Sequence, residues 1–348
     1  MPYSTFYLQW HITNRCNYRC THCYQTDYSD SEISLNDFIT IANNIFNTIT
    51  SWGKNVDISL TGGEPFVRKD LFDILLFLNS SYSVKNIDIL CNGTLINSKI
   101  IQFLKNIDKL KYIQVSLDGS TPLTHDKIRG NNAFNKALEG IRLLVKNGFR
   151  TKIMFTLQRS NMHEVPSLID LALNENIDGL TIERLVPTGS SKNRNDLVLS
   201  SNEIKSIFEY VSKRSDQEYN LGSHINILKY RPLWILIDPC RTYSYSETPT
   251  MKDLGAICSI GLDGLCILPD ATVLACRRLP IPIGNLIIDS FEKIWFTSAL
   301  LLKIRDKGNL KGKCRNCLYI PRCSGCRAMA YAITGDFLEE DPQCWINT

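Results

Sequence analysis

The sequence predicts an α/β fold, an incomplete (β/α)6 TIM-like barrel followed by a small cysteine-rich C-terminal domain. Three features carry that expectation. From residue 6 to about 187, short apolar runs alternate with amphipathic stretches, the pattern of strand-helix units wound around a parallel sheet. The stretch from 188 to 202, TGSSKNRNDLVLSSN, is polar and reads as a connector into a helix around 202–214. From about 255 cysteine, glycine and proline become dense and apolar periodicity weakens, as in a small domain held by metal instead of a large core. The expected units are a barrel over 1–190, a connector with a helix over 191–254 and a C-terminal domain over 255–348.

The candidate strands are FYLQWHI, NVDISLTG, NIDILCNG, YIQVSLDG, TKIMFTL and GLTIERLV. Between the first two, Leu35, Phe38, Ala42, Ile45, Phe46, Ile49 and Trp52 recur at helical spacing, and Ser34 with Asp37 three residues on is a capping signal, so the helix begins near Leu35. Further helices are expected at 69–79, 97–106, 132–147 and 163–175. Six units are two short of a closed eight-stranded barrel, which needs about 250 residues, so the barrel is open and its catalytic face lies at the C-terminal strand ends.

The 348 residues are 44% hydrophobic and 21% charged, ordinary for a soluble protein. No apolar run approaches the roughly 18 residues of a membrane span, and the start, MPYSTFYLQW, has no export signal, so no membrane and a cytoplasmic location are expected. A net charge of +4, with Lys and Arg dispersed, gives no reason to expect nucleic acid. Thirteen cysteines are many for a reducing compartment, where such clusters more often serve metals or redox chemistry than disulfides.

The first cysteines, Cys16, Cys20 and Cys23 in TNRCNYRCTHCY, follow the first strand directly and so sit at the catalytic face. A cubane iron-sulfur cluster takes one thiolate per iron, so a set of three leaves an iron open to a reactant. A zinc site completed by His22 or His11, or unrelated free thiols, is the blander account. Near the C-terminus, Cys314, Cys317, Cys323 and Cys326, followed by Cys344, suit zinc nearly as well as iron and sulfur.

Cys-x3-Cys-x2-Cys after a first strand, with His22 before the third cysteine, resembles the radical S-adenosylmethionine (SAM) enzymes. TGGEP at 61–65, CNGT at 91–94, SLDG at 116–119 and HDKIRG at 125–130 fall at or just after strand ends and resemble the same family. The resemblance implies SAM contacts from Tyr24, Gly62, Gly63, Glu64, Asn92, Ser116, Asp118 and Arg129. The C-terminal cysteines resemble the SPASM extension, which implies three 4Fe-4S clusters in all, one binding SAM and two auxiliary. Cys258, Cys276 and Cys326 would hold the first auxiliary cluster, with Cys266 as fourth ligand or an open iron in its place. Cys314, Cys317, Cys323 and Cys344 would hold the second. Where the family usually has a glycine, five residues before Cys276, this chain has Ala271, which matters only if that turn needs a positive φ.

The implied chemistry is reductive cleavage of SAM to a 5'-deoxyadenosyl radical, with the auxiliary clusters accepting or relaying an electron. The substrate expected is a ribosomally made precursor peptide, modified by an oxidative thioether or carbon-carbon crosslink. Formylglycine formation is disfavoured, because that branch has Asp where this chain has Arg277. A barrel strand starting by residue 6 leaves no room for a leader-binding domain, so a peptide would need a separate carrier or direct recognition, and a reductant such as flavodoxin or ferredoxin is expected. Of the two remaining cysteines, Cys91 reads as a buried structural thiol, and so does Cys240 unless it is the hydrogen donor of a peptide epimerase. Anaerobic tetrapyrrole or other small-molecule modification, suggested by CSGCR, is the alternative, and a non-catalytic zinc-binding module is the reading from another class.

Overall fold

The computed structural model describes residues 5–229, 231–237, 258–320 and 322–346. The barrel strands are β1 (Thr5–Thr13), β2 (Asn55–Gly62), β3 (Val84–Cys91), β4 (Leu110–Ser116), β5 (Thr151–Leu157) and β6 (Gly179–Arg184). The helices among them are α1 (Leu35–Ser51), α2 (Leu71–Ser80), α3 (Ser98–Leu104), α4 (Pro122–Arg129), α5 (Ala133–Lys146) and α6 (Val165–Asn174). After β6 come α7 (Ser201–Asn220) and a short β7 (Asn226–Leu228). The C-terminal part contributes β8 (Gly264–Ile267), β9 (Thr272–Cys276), β10 (Leu279–Asn285), α8 (Phe291–Thr297), α9 (Ala299–Arg305) and α10 (Arg327–Thr334).

The ten strands of the described residues form one sheet in the order β10-β9-β8-β1-β2-β3-β4-β5-β6-β7. Strands β1 to β7 run parallel and in sequence order, the expected open barrel. Unanticipated is the other edge: β8 pairs parallel with β1, from Tyr7 opposite Gly264 to Trp10 opposite Ile267, and the β8, β9, β10 meander runs antiparallel from there. The C-terminal segment therefore extends the barrel sheet.

Strand alternation sorts the side chains of β1. Phe6, Leu8, Trp10 and Ile12 point into the helix layer and are buried, Trp10 lying 4.2 Å from the Phe38 ring of α1. Phe6 meets Phe291 at 5.5 Å and Trp295 at 4.9 Å, both from α8, so the core is shared between the two ends of the chain. The alternate set, Gln9, His11 and Thr13, faces the barrel interior. Ser34 caps α1 by accepting a hydrogen bond from the Asp37 backbone N–H at 3.2 Å, which fixes where the predicted helix starts. A Ser200–Glu203 capping box starts α7, which runs to Asn220, beyond the expected 202–214.

Candidate functional site

The loop after β1 carries Cys16, Cys20 and Cys23, all half-buried and all free thiols. It is pressed against the end of β2, where the Gly63 N–H donates to the Thr13 carbonyl at 2.8 Å and the Glu64 N–H to the Arg15 carbonyl at 2.9 Å. A Cβ on Gly62 would lie 2.3 Å from the Thr13 oxygen and one on Gly63 2.2 Å from the Arg15 oxygen, so this approach requires glycine at both. The Glu64 side chain is fully buried and accepts from the backbone N–H groups of Asn92 (2.7 Å) and Phe66 (3.1 Å). Burial pushes its carboxyl up to about 7, although both hydrogen bonds and Arg129 oppose that. Asn92 donates in turn to Asn17 Oδ1 at 2.8 Å, tying the cysteine loop to the end of β3.

Asp118, just beyond β4, is fully buried. One oxygen faces His22 Nε2 at 2.7 Å and Arg129 Nε at 2.5 Å, while the other accepts from the Thr156 N–H at 2.7 Å. Burial by itself would raise its carboxyl, but Arg129 and then His22 hold it well below the usual range. Arg129 also places Nη1 3.9 Å from Cys20 Sγ. The network thus grips the loop through His22 and sets a cation beside Cys20. His125 accepts from the Asp118 N–H at 3.0 Å, and Asn161 donates to the Asp118 carbonyl at 3.1 Å, both missed from sequence although His125 lies inside HDKIRG. Ser116 is half-buried at the end of β4.

The donor set fits an iron-sulfur group. Burial pushes the Cys16 thiol up to about 12, opposed by the Tyr18 N–H at 3.4 Å, and it raises Cys20 against the field of Arg129. A thiolate at these positions needs a positive partner, which bound iron provides. Among the described residues no group of three or more His, Cys, Asp and Glu side chains is placed to hold a single metal ion.

Tyr24, half-buried, points its hydroxyl at the Gly62 carbonyl, 3.4 Å away. The His11 ring stands edge-on to it with centroids 5.5 Å apart, and the Arg277 guanidinium lies over it, 4.4 Å from the centroid. Burial, and secondarily Arg277, keep His11 well below its usual pKa and hence uncharged.

The cysteines from Cys258 onward fall into two neighbourhoods. Cys276 and Cys326 both act on Cys258, whose thiol burial pushes up to about 11. Cys266, in β8, is raised by its burial and lies near Cys276 and Arg277. Burial likewise raises Cys314, close to Cys317, and Cys323, close to Cys314. It pushes Cys344, near Cys323, up to about 11. Arg327 brings Nη2 to 3.9 Å from Cys314 Sγ. Cys91 is buried at the end of β3, and Cys240 lies outside the described residues. Sequence reasoning also missed the pairs that join the barrel rim to this region: Arg184 with Asp341 at 2.8 Å, and Arg231 and Arg278 with Glu183 at 2.6 and 3.1 Å. No local pattern signals such long-range partners.

The chain matches the Radical SAM superfamily over residues 10–172 and the SPASM iron-sulfur cluster-binding domain over 258–318. It belongs to the radical SAM superfamily, in the branch with a SPASM extension, and is an enzyme whose cofactors are 4Fe-4S clusters and SAM. Within that family it is similar to the AdoMet-dependent heme synthase of Methanosarcina barkeri, at 31% identity over 97% of this chain and 95% of that protein. It is also similar to the Fe-coproporphyrin III synthase of the same organism, at 27% identity over 97% of this chain and 87% of that protein. Streptococcus suis SuiB bound to its precursor peptide SuiA shares the fold, with a TM-score of 0.76 at 16% identity over 98% of this chain and 76% of that one.

These relatives correct the expected reaction. Full-length similarity runs to proteins that make haem and Fe-coproporphyrin III, which overturns peptide crosslinking and, with it, peptide maturation. The likeness to SuiB is one of fold. Among the described residues no helix is long and apolar enough to cross a membrane.

Proposed function

We propose that this enzyme modifies an iron tetrapyrrole of the haem series. The observation that carries the reading is the 31% identity to a haem synthase across 97% of this chain. Cys16, Cys20 and Cys23 hold the SAM-binding cluster, with the open iron that three ligands leave. Cys258, Cys276, Cys326 and Cys266 hold one auxiliary cluster, and Cys314, Cys317, Cys323 and Cys344 the other. The barrel (1–190), the connector (191–254) and the auxiliary-cluster domain (255–348) act as one unit, supplied with electrons by a carrier such as flavodoxin or ferredoxin in the cytoplasm.

When bound, these groups supply a 5'-deoxyadenosyl radical to remove a hydrogen atom and an acceptor for the electron left behind. Fe-coproporphyrin III carries propionates at positions where haem carries vinyl groups. Converting one to the other removes a hydrogen atom from the side chain, breaks the C–CO2 bond, forms a C=C bond, and leaves one electron to be accepted. The protein's part is to orient the side chain and keep water and other hydrogen donors away, for which the loops around the Asp118 network and the Gly62–Gly63 contact give a fixed frame.

The test is anaerobic incubation of the reconstituted enzyme with SAM, reductant and Fe-coproporphyrin III, following 5'-deoxyadenosine and porphyrin mass. Loss of the elements of formic acid from each converted side chain, in step with 5'-deoxyadenosine, is the expected result. SAM cleavage with an unaltered porphyrin would reject the reading.

A further inference from the structure

Arg277 stands out by what it lacks. Four other arginines near the strand ends have an acidic partner: Arg129 pairs with Asp118, Arg184 with Asp341, and Arg231 and Arg278 with Glu183. Arg277 has none among the described residues, and its buried Nε has no hydrogen-bond partner there. Its guanidinium is nevertheless seated, lying 4.4 Å from the centroid of the Tyr24 ring. A planar guanidinium stacked on an aromatic face keeps its in-plane N–H groups available, the arrangement that grips a carboxylate with two parallel hydrogen bonds.

A second side chain points the same way. His11 comes from the interior face of β1, is 1% exposed, and its buried Nε2 also has no hydrogen-bond partner among the described residues. Leaving a buried polar nitrogen unpaired is unfavourable, so a ligand that engages it gains accordingly. The His11 ring packs against the same Tyr24 ring that carries Arg277. Tyr24 follows Cys23 directly, and Arg277 follows Cys276. A group that engages Arg277 and His11 therefore lies beside both the first cysteine loop and the C-terminal cysteines.

We propose that Arg277 and His11, packed against Tyr24, form the subsite that receives a propionate carboxylate of the tetrapyrrole. This rests on the proposed substrate. The guanidinium supplies the charge and the paired donors, and neutral His11 supplies one further hydrogen bond without adding charge.

The experiment titrates Fe-coproporphyrin III and its fully methyl-esterified form by absorbance into the reconstituted enzyme, as wild type, Arg277→Gln and Arg277→Lys. Iron content and SAM binding are measured on each. The wild type should prefer the free acid. Arg277→Gln should weaken the acid roughly 10- to 100-fold, the range of a charged hydrogen-bond pair, and leave the ester, iron content and SAM affinity unchanged. Arg277→Lys should recover part of the loss as a point charge. Unchanged acid binding in Arg277→Gln overturns the subsite, as does a matching loss of SAM binding, which would make the carboxylate that of SAM. If Arg277→Gln does not assemble, the wild type alone decides, since equal affinity for acid and ester overturns the inference. A wild type that binds neither porphyrin removes the proposed function along with the subsite, whereas one that binds both alike removes the subsite only.

Discussion

At Gly63 a single hydrogen atom decides where three cysteines stand. The added Cβ of Gly63→Ala would meet the Arg15 oxygen at 2.2 Å and the Arg15 carbonyl carbon at 2.7 Å, both backbone atoms that cannot rotate away. The loop must shift outward and lose the 2.9 Å hydrogen bond from Glu64 to Arg15. A displacement near 1 Å at a reacting centre costs about 100-fold in rate, whereas overpacking costs about 1–3 kcal/mol of stability. Gly63→Ala should therefore remain folded while 5'-deoxyadenosine formation falls on the order of 100-fold, with iron content lowered or its spectrum altered. A variant with wild-type rate and spectrum would show that the loop accommodates the methyl group at no cost. TGGEP was readable as a motif, but its physical reason was not, because the atoms that exclude a side chain belong to Thr13, Asn14 and Arg15. Asp118 was legible in the same partial way: the residue could be singled out, but not its partners His22, Arg129 and Thr156.

At the scale of elements, the six barrel strands were legible because each is a short apolar run ended by a turn, and β2 and β5 occupy the predicted residues. Helix α4 was not, since only His125 and Ile128 of its eight residues are buried and no apolar stripe forms. The β8 and β9 hairpin was hidden by the cysteines and glycines around it, yet its turn held a question that the backbone answers. Ala271 adopts φ 65°, in the left-handed region, with its N–H bonded to the Leu268 carbonyl at 2.9 Å. That conformation costs an L-residue roughly 1–2 kcal/mol, while removing one buried methyl group loses about 0.8. Ala271→Gly should stabilise the hairpin by up to about 1 kcal/mol, seen as a small rise in Tm with unaltered iron content. A clear fall in Tm would mean that packing of the methyl group outweighs the strain.

At the scale of the whole molecule, the sequence divides where the sheet does not. The change in composition near 255 is real, but β8 joins β1 and the Phe6, Phe291 and Trp295 rings share one core, so the C-terminal cysteines are fixed relative to the barrel by continuous structure. A second tie lies at the opposite rim, where Arg184 at the end of β6 meets Asp341 through Nη1 at 3.1 Å and Nη2 at 2.8 Å, with both residues buried. Asp341 also accepts from the backbone N–H groups of Cys326 at 2.8 Å and Gln343 at 3.0 Å, and Gln343 donates to the Leu199 carbonyl at 2.8 Å. Pulling one ion from such a pair leaves the other buried and unpaired, which costs about 3–5 kcal/mol, far above the value of an exposed pair. Arg184→Ala should lower the unfolding free energy by about that amount and loosen Cys326, so iron should be lost more readily to a chelator than from wild type. Removing both partners, in Arg184→Ala with Asp341→Ala, abolishes the stranded charge and should recover part of the stability. It should not restore iron retention, because Cys326 has then lost its backbone anchor. If the double variant is no more stable than the single one, the pair is not what joins the rim of the barrel to the C-terminal cysteines.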